Sequence, residues 1–281
     1  MRRAVLLVVA VIASLLAGCG SQIGYHFADT YIEWQIDDYV DLTDTQQQTV
    51  SDALDQLHHW HATEELPTYQ STLQSLRDKI ANNSLTKADI NAIQNAMLDA
   101  WKRIRGAIVL VVGKLYPTLT SAQKQQIISK MREKVKERRQ DYNSERETER
   151  QLARFDDIAD DLSDWLGDLT TAQKHRLGEF AKHSDDRTLW FDYQDAWIDA
   201  LEQVVSYADK QRSLASVKAL ILKPETLRSE ALKQQISDSS TRRLSFIWQT
   251  YKSMSSIQRV RVLNKLDGYI NLLAELSADF H

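Results

Sequence analysis

Cysteine is nearly absent from this sequence, with one residue, Cys19, among 281. A single thiol excludes an internal disulfide and a thiolate cluster for zinc. Proline and glycine number only three and eight, which excludes a collagen-like repeat and argues against long flexible linkers. Alternating runs of β-branched residues are rare outside Ile108 to Val112, so there is little to build a sheet from. Positive charge is not in excess, since 35 Lys and Arg stand against 39 Asp and Glu. That removes the basic footprint expected for a nucleic-acid partner. No phosphate-binding glycine loop, G-x-S-x-G elbow or dinucleotide fingerprint occurs. The one long apolar run, Ala4 to Leu16, is short for a bilayer span of about 20 residues.

Arg2 and Arg3 precede that run, and Leu16-Ala17-Gly18-Cys19 follows it. The leader has the order of a secretory signal, and its last four residues resemble the lipobox of bacterial lipoproteins. The resemblance implies that residues 1–18 are cut away and that Cys19 carries a thioether-linked diacylglycerol and an acylated amine such as palmitate. Residues 19–31 would then form a lipidated stalk, and 32–281 a body. Several acyl chains, at roughly 0.8 kcal/mol per buried CH₂, would hold such a protein firmly on a bilayer. Gly20, not aspartate, follows Cys19; by analogy with enterobacterial sorting, this implies the outer membrane, with the body facing the periplasm. Cleavage removes two arginines and no acid, so 33 basic against 39 acidic residues leave −6.

Gln, Leu, Ala, Lys, Arg and Glu dominate the body, and apolar residues recur at helical spacing, as in Val50, Leu54 and Leu57 or Leu263, Leu266, Ile270 and Leu273. The pattern predicts an all-α, elongated multi-helix bundle. Helices are expected over 45–64, 67–81, 87–115, 121–165, 171–183, 187–213, 225–236, 239–253 and 256–277. Pro67 is placed to kink or restart the chain. The polar stretch inside 121–165 can break near 141–144, and a two-subdomain division falls near 184–187.

One phrase recurs: LTDTQ at Leu42, LTKAD at Leu85, LTSAQ at Leu119, LTTAQ at Leu169 and MSSIQ at Met254. Thr43 with Gln46, Thr120 with Gln123, Thr170 with Gln173 and Ser255 with Gln258 match the helix capping box, and Thr86 with Asp89 is a shorter version. Each cap contributes about 1 kcal/mol. The copies are unevenly spaced, so they punctuate helices and do not mark a solenoid period. The phrase also resembles the LTxxQ motif of small periplasmic stress chaperones of the Spy and CpxP type, which implies binding of unfolded clients.

Three clusters carry the candidate chemistry. In Leu57-His58-His59-Trp60-His61-Ala62-Thr63-Glu64-Glu65, His58, His61 and Glu64 or Glu65 can share a helix face. They would form either a metal-binding set or a polar face turned toward another segment. Asp37 and Asp38 lie in an aromatic, acidic stretch before the first cap. As neighbours they point apart, so carboxylate chemistry would need a distant partner. Trp190, Tyr193 and Trp197 line one helix face, as core or as a peptide groove.

The lipobox, the stretch Trp34…Asp37-Asp38-Tyr39-Val40-Asp41-Leu42, the phrase Trp60-His61…Glu64-Glu65-Leu66-Pro67-x-Tyr69, and Arg150…Arg154 leading into Trp165-Leu166-Gly167-x-Leu169-Thr170 together resemble a family of proteobacterial helical lipoproteins, domain of unknown function 6279. The family brings no activity to carry over. It does single out His61, Glu65, Pro67 and Tyr69. The expectation is a non-enzymatic, membrane-tethered scaffold with no cofactor beyond its covalent lipid. Its partners would be the bilayer and an envelope protein. Chaperone-like capture of unfolded clients, lipid binding and metal-dependent hydrolysis are the alternatives.

Overall fold

A computed structural model describes residues 24–183 and 185–280; Leu16, Ala17, Gly18 and Cys19 lie outside the described residues. Eleven α-helices and no strand occur among them. These are α1 (Ala28–Asp37), α2 (Asp44–Trp60), α3 (Leu66–Ala81), α4 (Lys87–Leu115), α5 (Ser121–Ser144) and α6 (Glu147–Leu166). They continue as α7 (Thr171–Ala181), α8 (Thr188–Val205), α9 (Lys210–Leu222), α10 (Glu230–Lys252) and α11 (Ser256–Ala278). The bundle matches the expected fold class.

The break between α5 and α6 falls at residues 145–146, just after the expected stretch, but three boundaries differ. Pro67 falls in the first turn of α3, but the chain does not break before it, because a π-turn at His61–Glu65 joins α2 to α3. Proline has no N–H to donate; in the widened register Leu66 N–H reaches back to the carbonyl of His61, and the helix passes over that position. The separate helices expected over 225–236 and 239–253 are one, α10. Its Ser239 and Ser240 hydrogen-bond to Asp185 and Gln94, so their hydroxyls do not compete for the local backbone. The span 187–213 instead divides, and Asp209 caps α9 by accepting from the N–H groups of Gln211 and Arg212.

All five expected capping boxes form. Their glutamines also make a tertiary contact. Gln46 and Gln123 pair amide to amide, with Nε2 to Oε1 distances of 3.1 and 2.6 Å. Gln173 and Gln258 pair likewise at 3.0 Å in both directions. The remaining N–H of each amide reaches the carbonyl just before its partner's phrase. Gln46 donates to Thr118 and Gln123 to Asp41, each at 2.9 Å. Gln258 donates to Asp168 at 3.0 Å and Gln173 to Ser253 at 3.4 Å. All four side chains are buried, so a helix-start signal doubles as a clasp between helices distant in sequence. The copy at Leu85 has Asp89 in place of glutamine; it forms an ion pair with Lys79, while Leu85 and Ile90 are both buried in one core as a hydrophobic staple.

Three apolar cores result. One gathers Ile80, Leu85, Ile90, Leu166, Leu169, Leu177, Phe246 and Leu266. A second gathers Tyr116, Ile128, Val135, Phe191, Ile198, Leu201 and Val217. Each of these draws residues from both sides of 184–187, so that stretch does not separate two cores. The charged α5 packs along α8 through Ile128 and Val135, with Arg132 paired to Asp199 and Glu202 and Arg139 to Asp192 and Asp195. The smallest core joins Tyr25, Ala62, Leu66, Leu273 and Leu276, and it positions the candidate site.

Candidate functional site

The π-turn brings His58, His61, Glu65 and Tyr69 to one junction, where α2, α3, α11 and the residues before α1 meet. Ala62 and Leu66 seat the turn in the smallest core, both almost wholly buried against α11. Such turns recur at functional positions because the extra residue re-aims side chains. Glu65, only 3 % exposed, receives a bidentate pair from Arg103 of α4, Nε to Oε1 at 2.5 Å and Nη2 to Oε2 at 2.8 Å. Tyr69 also donates its hydroxyl to Glu65. Burial and the neighbouring carboxylate push the Tyr69 hydroxyl up, while the Glu65 hydrogen bond raises Arg103.

Tyr25 completes the cluster. Its hydroxyl lies 2.9 Å from His61 Nδ1, and its ring packs edge-on to His58 and Phe280 with centroids 4.7 and 5.9 Å away. Burial lowers His61 to about 4, with Glu65 opposing and His58 adding to the shift. Burial also lowers His58, against the pull of Asp29, whose carboxylate lies 3.9 Å away. Both imidazoles are therefore neutral at pH 7, and His61 Nδ1 can accept the proton of Tyr25. Among the described residues, His58 Nε2 is buried without a hydrogen-bond partner. The arrangement is a hydrogen-bonded plug that fastens the start of the described chain to the body.

The other expected site residues are placed apart. Glu64 is exposed on the π-turn, outside the plug. Asp37 lines a groove of about 450 Å³ between α1 and α2, with Glu33, Trp34, Ile36 and Gln47. Asp38 is ion-paired to Lys134, with Lys130 at 3.9 Å, and the Lys134 contact lowers its carboxyl. Neither that groove nor a recess of about 300 Å³ between α3 and α4 is lined by His58, His61, Glu64 or Glu65. The distant carboxylate partner that hydrolysis would require is thus not supplied by bringing Asp37 to the histidines. No group of three His, Cys, Asp or Glu residues has metal-holding geometry among the described residues.

The aromatic face of α8 is core. Tyr193 is buried and donates to the carbonyl of Pro224 at 3.0 Å, Trp197 Nε1 donates to that of Leu220 at 3.3 Å, and Trp190 stands edge-on to Tyr193. Of the two readings of that face, core or peptide groove, the structure gives core, with α9 and the turn that follows it packed there.

The stalk expected over 19–31 is corrected over its described part. Residues 24–26 are helical, Tyr25 is buried and α1 begins at Ala28. Tyr25, Arg103 and Phe280 are the members of the plug that sequence reasoning missed. Arg103 had no local signal beyond a basic residue in a long helix. Tyr25 was a large aromatic in a stretch otherwise read as a tether.

No curated protein and no solved structure matches the chain. The model of a family described as a family of unknown function, DUF6279, matches residues 38–245, which include His58, His61, Glu65, Tyr69 and Arg103 but not Tyr25 or α11. With most of its length matched in that way, the chain belongs to the DUF6279 family.

Proposed function

We propose that this protein is a non-enzymatic envelope lipoprotein, anchored through acylated Cys19 in the outer membrane. Its helical body lies on the periplasmic side and scaffolds another envelope protein. One observation carries the reading: Tyr25, six positions after the lipobox cysteine, is locked into the body by His61, His58 and Phe280. A lipid at Cys19 would therefore hold a rigid body close to the membrane at a restricted angle, as suits a fixed scaffold. The polar groups that chemistry would recruit are engaged in structural contacts, Glu65 with Arg103, His61 with Tyr25 and Asp38 with Lys134. The repeated phrase is accounted for by caps and clasps, and gives no separate support to a chaperone.

Growth with an alkyne-tagged fatty acid followed by density separation of the membranes tests the anchor. Native protein is expected to be labelled and to band with outer membranes, and Cys19→Ala to be unlabelled. Equal labelling of the two would sink the lipoprotein reading. Crosslinking in intact envelopes is expected to capture one dominant protein. A broad set of clients that grows under unfolding stress would replace the scaffold with the chaperone-like alternative.

A further inference from the structure

The outer face of α1, with the residue that caps it, carries large aromatic side chains that are exposed among the described residues. Phe27 is 61 % exposed, Tyr31 42 % and Trp34 67 %. The Tyr31 N–H bonds the carbonyl of Phe27 at 3.0 Å, so the three lie at i, i+4 and i+7 of one helical surface. The opposite side faces the body, where Tyr25 is buried and Asp29 approaches His58, and Trp34 also borders the groove between α1 and α2. Trp34 is the one exposed tryptophan of seven in the chain.

We propose that Phe27, Tyr31 and Trp34 form a seating face that lies in the headgroup layer of a phospholipid bilayer. The inference rests on the lipoprotein reading for its strongest argument, which is where the remaining chain ends. Cys19 is five positions before Gly24, a reach of about 18 Å at full extension, so an acyl chain there brings this face to the membrane surface. The chemistry fits the same occupant. Aromatic rings with a polar edge partition to the membrane–water interface. Residues 24–41 include no lysine or arginine, so the face suits zwitterionic lipid and does not depend on anionic headgroups. From Phe27 to Trp34 is about 10 Å of helix, short enough to lie flat at one depth. Lipid and seating face together would fix the angle of the body, because Tyr25 ties α1 to α2 and α11.

The test uses the full protein as made in the cell, reconstituted into phosphatidylcholine–phosphatidylethanolamine vesicles with acyl chains brominated near the headgroup. Mass spectrometry of the same sample reports acylation at Cys19. The bromolipid is expected to quench a fraction of the native tryptophan emission. That fraction should be lost in Trp34→Phe, which keeps an aromatic ring and should show an unchanged helical circular dichroism spectrum. Quenching should also be the same at low and high salt. If acylated protein pellets with the vesicles but native and Trp34→Phe quench alike, the seating face is refuted while the anchor stands. Trp34 shielded from acrylamide in a dimer, and unquenched by bromolipid, would refute it in favour of a second copy. If Cys19 proves unacylated, Trp34 quenching by added vesicles would support the face independently of the anchor. Its absence there would overturn both.

Discussion

Acidification should loosen the fastening of α1 before it unfolds the body. His61 is ordinarily protonated near 6.5 but is held down to about 4 by burial beside Tyr25, Tyr69 and His58, with Glu65 as the opposing charge. The detached state, in which His61 meets water, therefore binds the proton more tightly. Stability contributed by the neutral imidazole is complete above about pH 6.5 and is lost as the pH falls toward 4. The full difference is about 3 kcal/mol at about 1.4 kcal/mol for each pH unit. Between pH 7.5 and 5 the loss is about 2 kcal/mol, equivalent to a roughly 30-fold larger population of the open state. His58, also lowered by burial, adds to the native response in the same direction. Amide hydrogen exchange over residues 28–37, corrected for the intrinsic effect of pH, reads this opening directly. Protection there should fall about 30-fold or more in the native protein. The fall should be clearly smaller in His61→Gln, whose amide does not titrate. Equal protection at pH 7.5 and 5, or superimposable profiles for the two proteins, would refute the assignment of His61 as the neutral partner of Tyr25.

Removing the cation from Glu65 should be costly because that carboxylate is 3 % exposed. Arg103→Met is expected to destabilise by about 2–3 kcal/mol in urea unfolding, and adding Glu65→Leu should recover part of the loss. An unchanged midpoint for Arg103→Met would contradict the pairing. Gln123→Glu keeps a residue able to complete the cap but loses the donors to Asp41 and Gln46, so about 2 kcal/mol should be lost. A Gln46→Ala, Gln123→Ala double-mutant cycle should show coupling of at least about 0.5 kcal/mol; additivity would argue against the clasp. Gly167 sits at φ 76°, ψ −146°, where an added Cβ would stand 3.3 Å from Arg261 Nη1. Gly167→Ala should therefore cost about 2 kcal/mol, read from its thermal midpoint, and a neutral result would mean that the turn relaxes.

The helical class was legible in the sequence because its evidence is local. Apolar spacing and the threonine–glutamine caps are set within one or two turns, and the five capping boxes formed where expected. What the capping glutamines touch was not legible. The cap requires a side chain that reaches back three residues, and glutamine satisfies that alone or in a clasp. The pairs span 77 and 85 residues, a distance over which no local rule acts. The one distinction within reach was the fifth letter of the phrase, since the copy ending in aspartate lacks the amide N–H donors and is the one that stays outside both clasps. Trp190, Tyr193 and Trp197 show the same limit in reverse. Their common helix face was correct, but only the positions of Leu220 and Pro224 decide that it is covered.

The plug shows why the matched family segment is not the whole structural unit. Its polar centre, His58, His61, Glu65, Tyr69 and Arg103, lies within residues 38–245. The groups that close it come from either side: Tyr25 from before the segment, and Leu273, Leu276 and Phe280 from after it. Gln258, which completes the second clasp, is also outside. A neutral histidine pair left without Tyr25 and Phe280 would face water, and its burial-driven shift would vanish with the burial. The motif Trp60-His61 through Pro67-x-Tyr69 is therefore best understood as a receptor for the chain's own N-terminal segment. In that role His61 on the π-turn holds Tyr25, and with it α1, against the body, while the bidentate Glu65–Arg103 pair ties the same turn to α4.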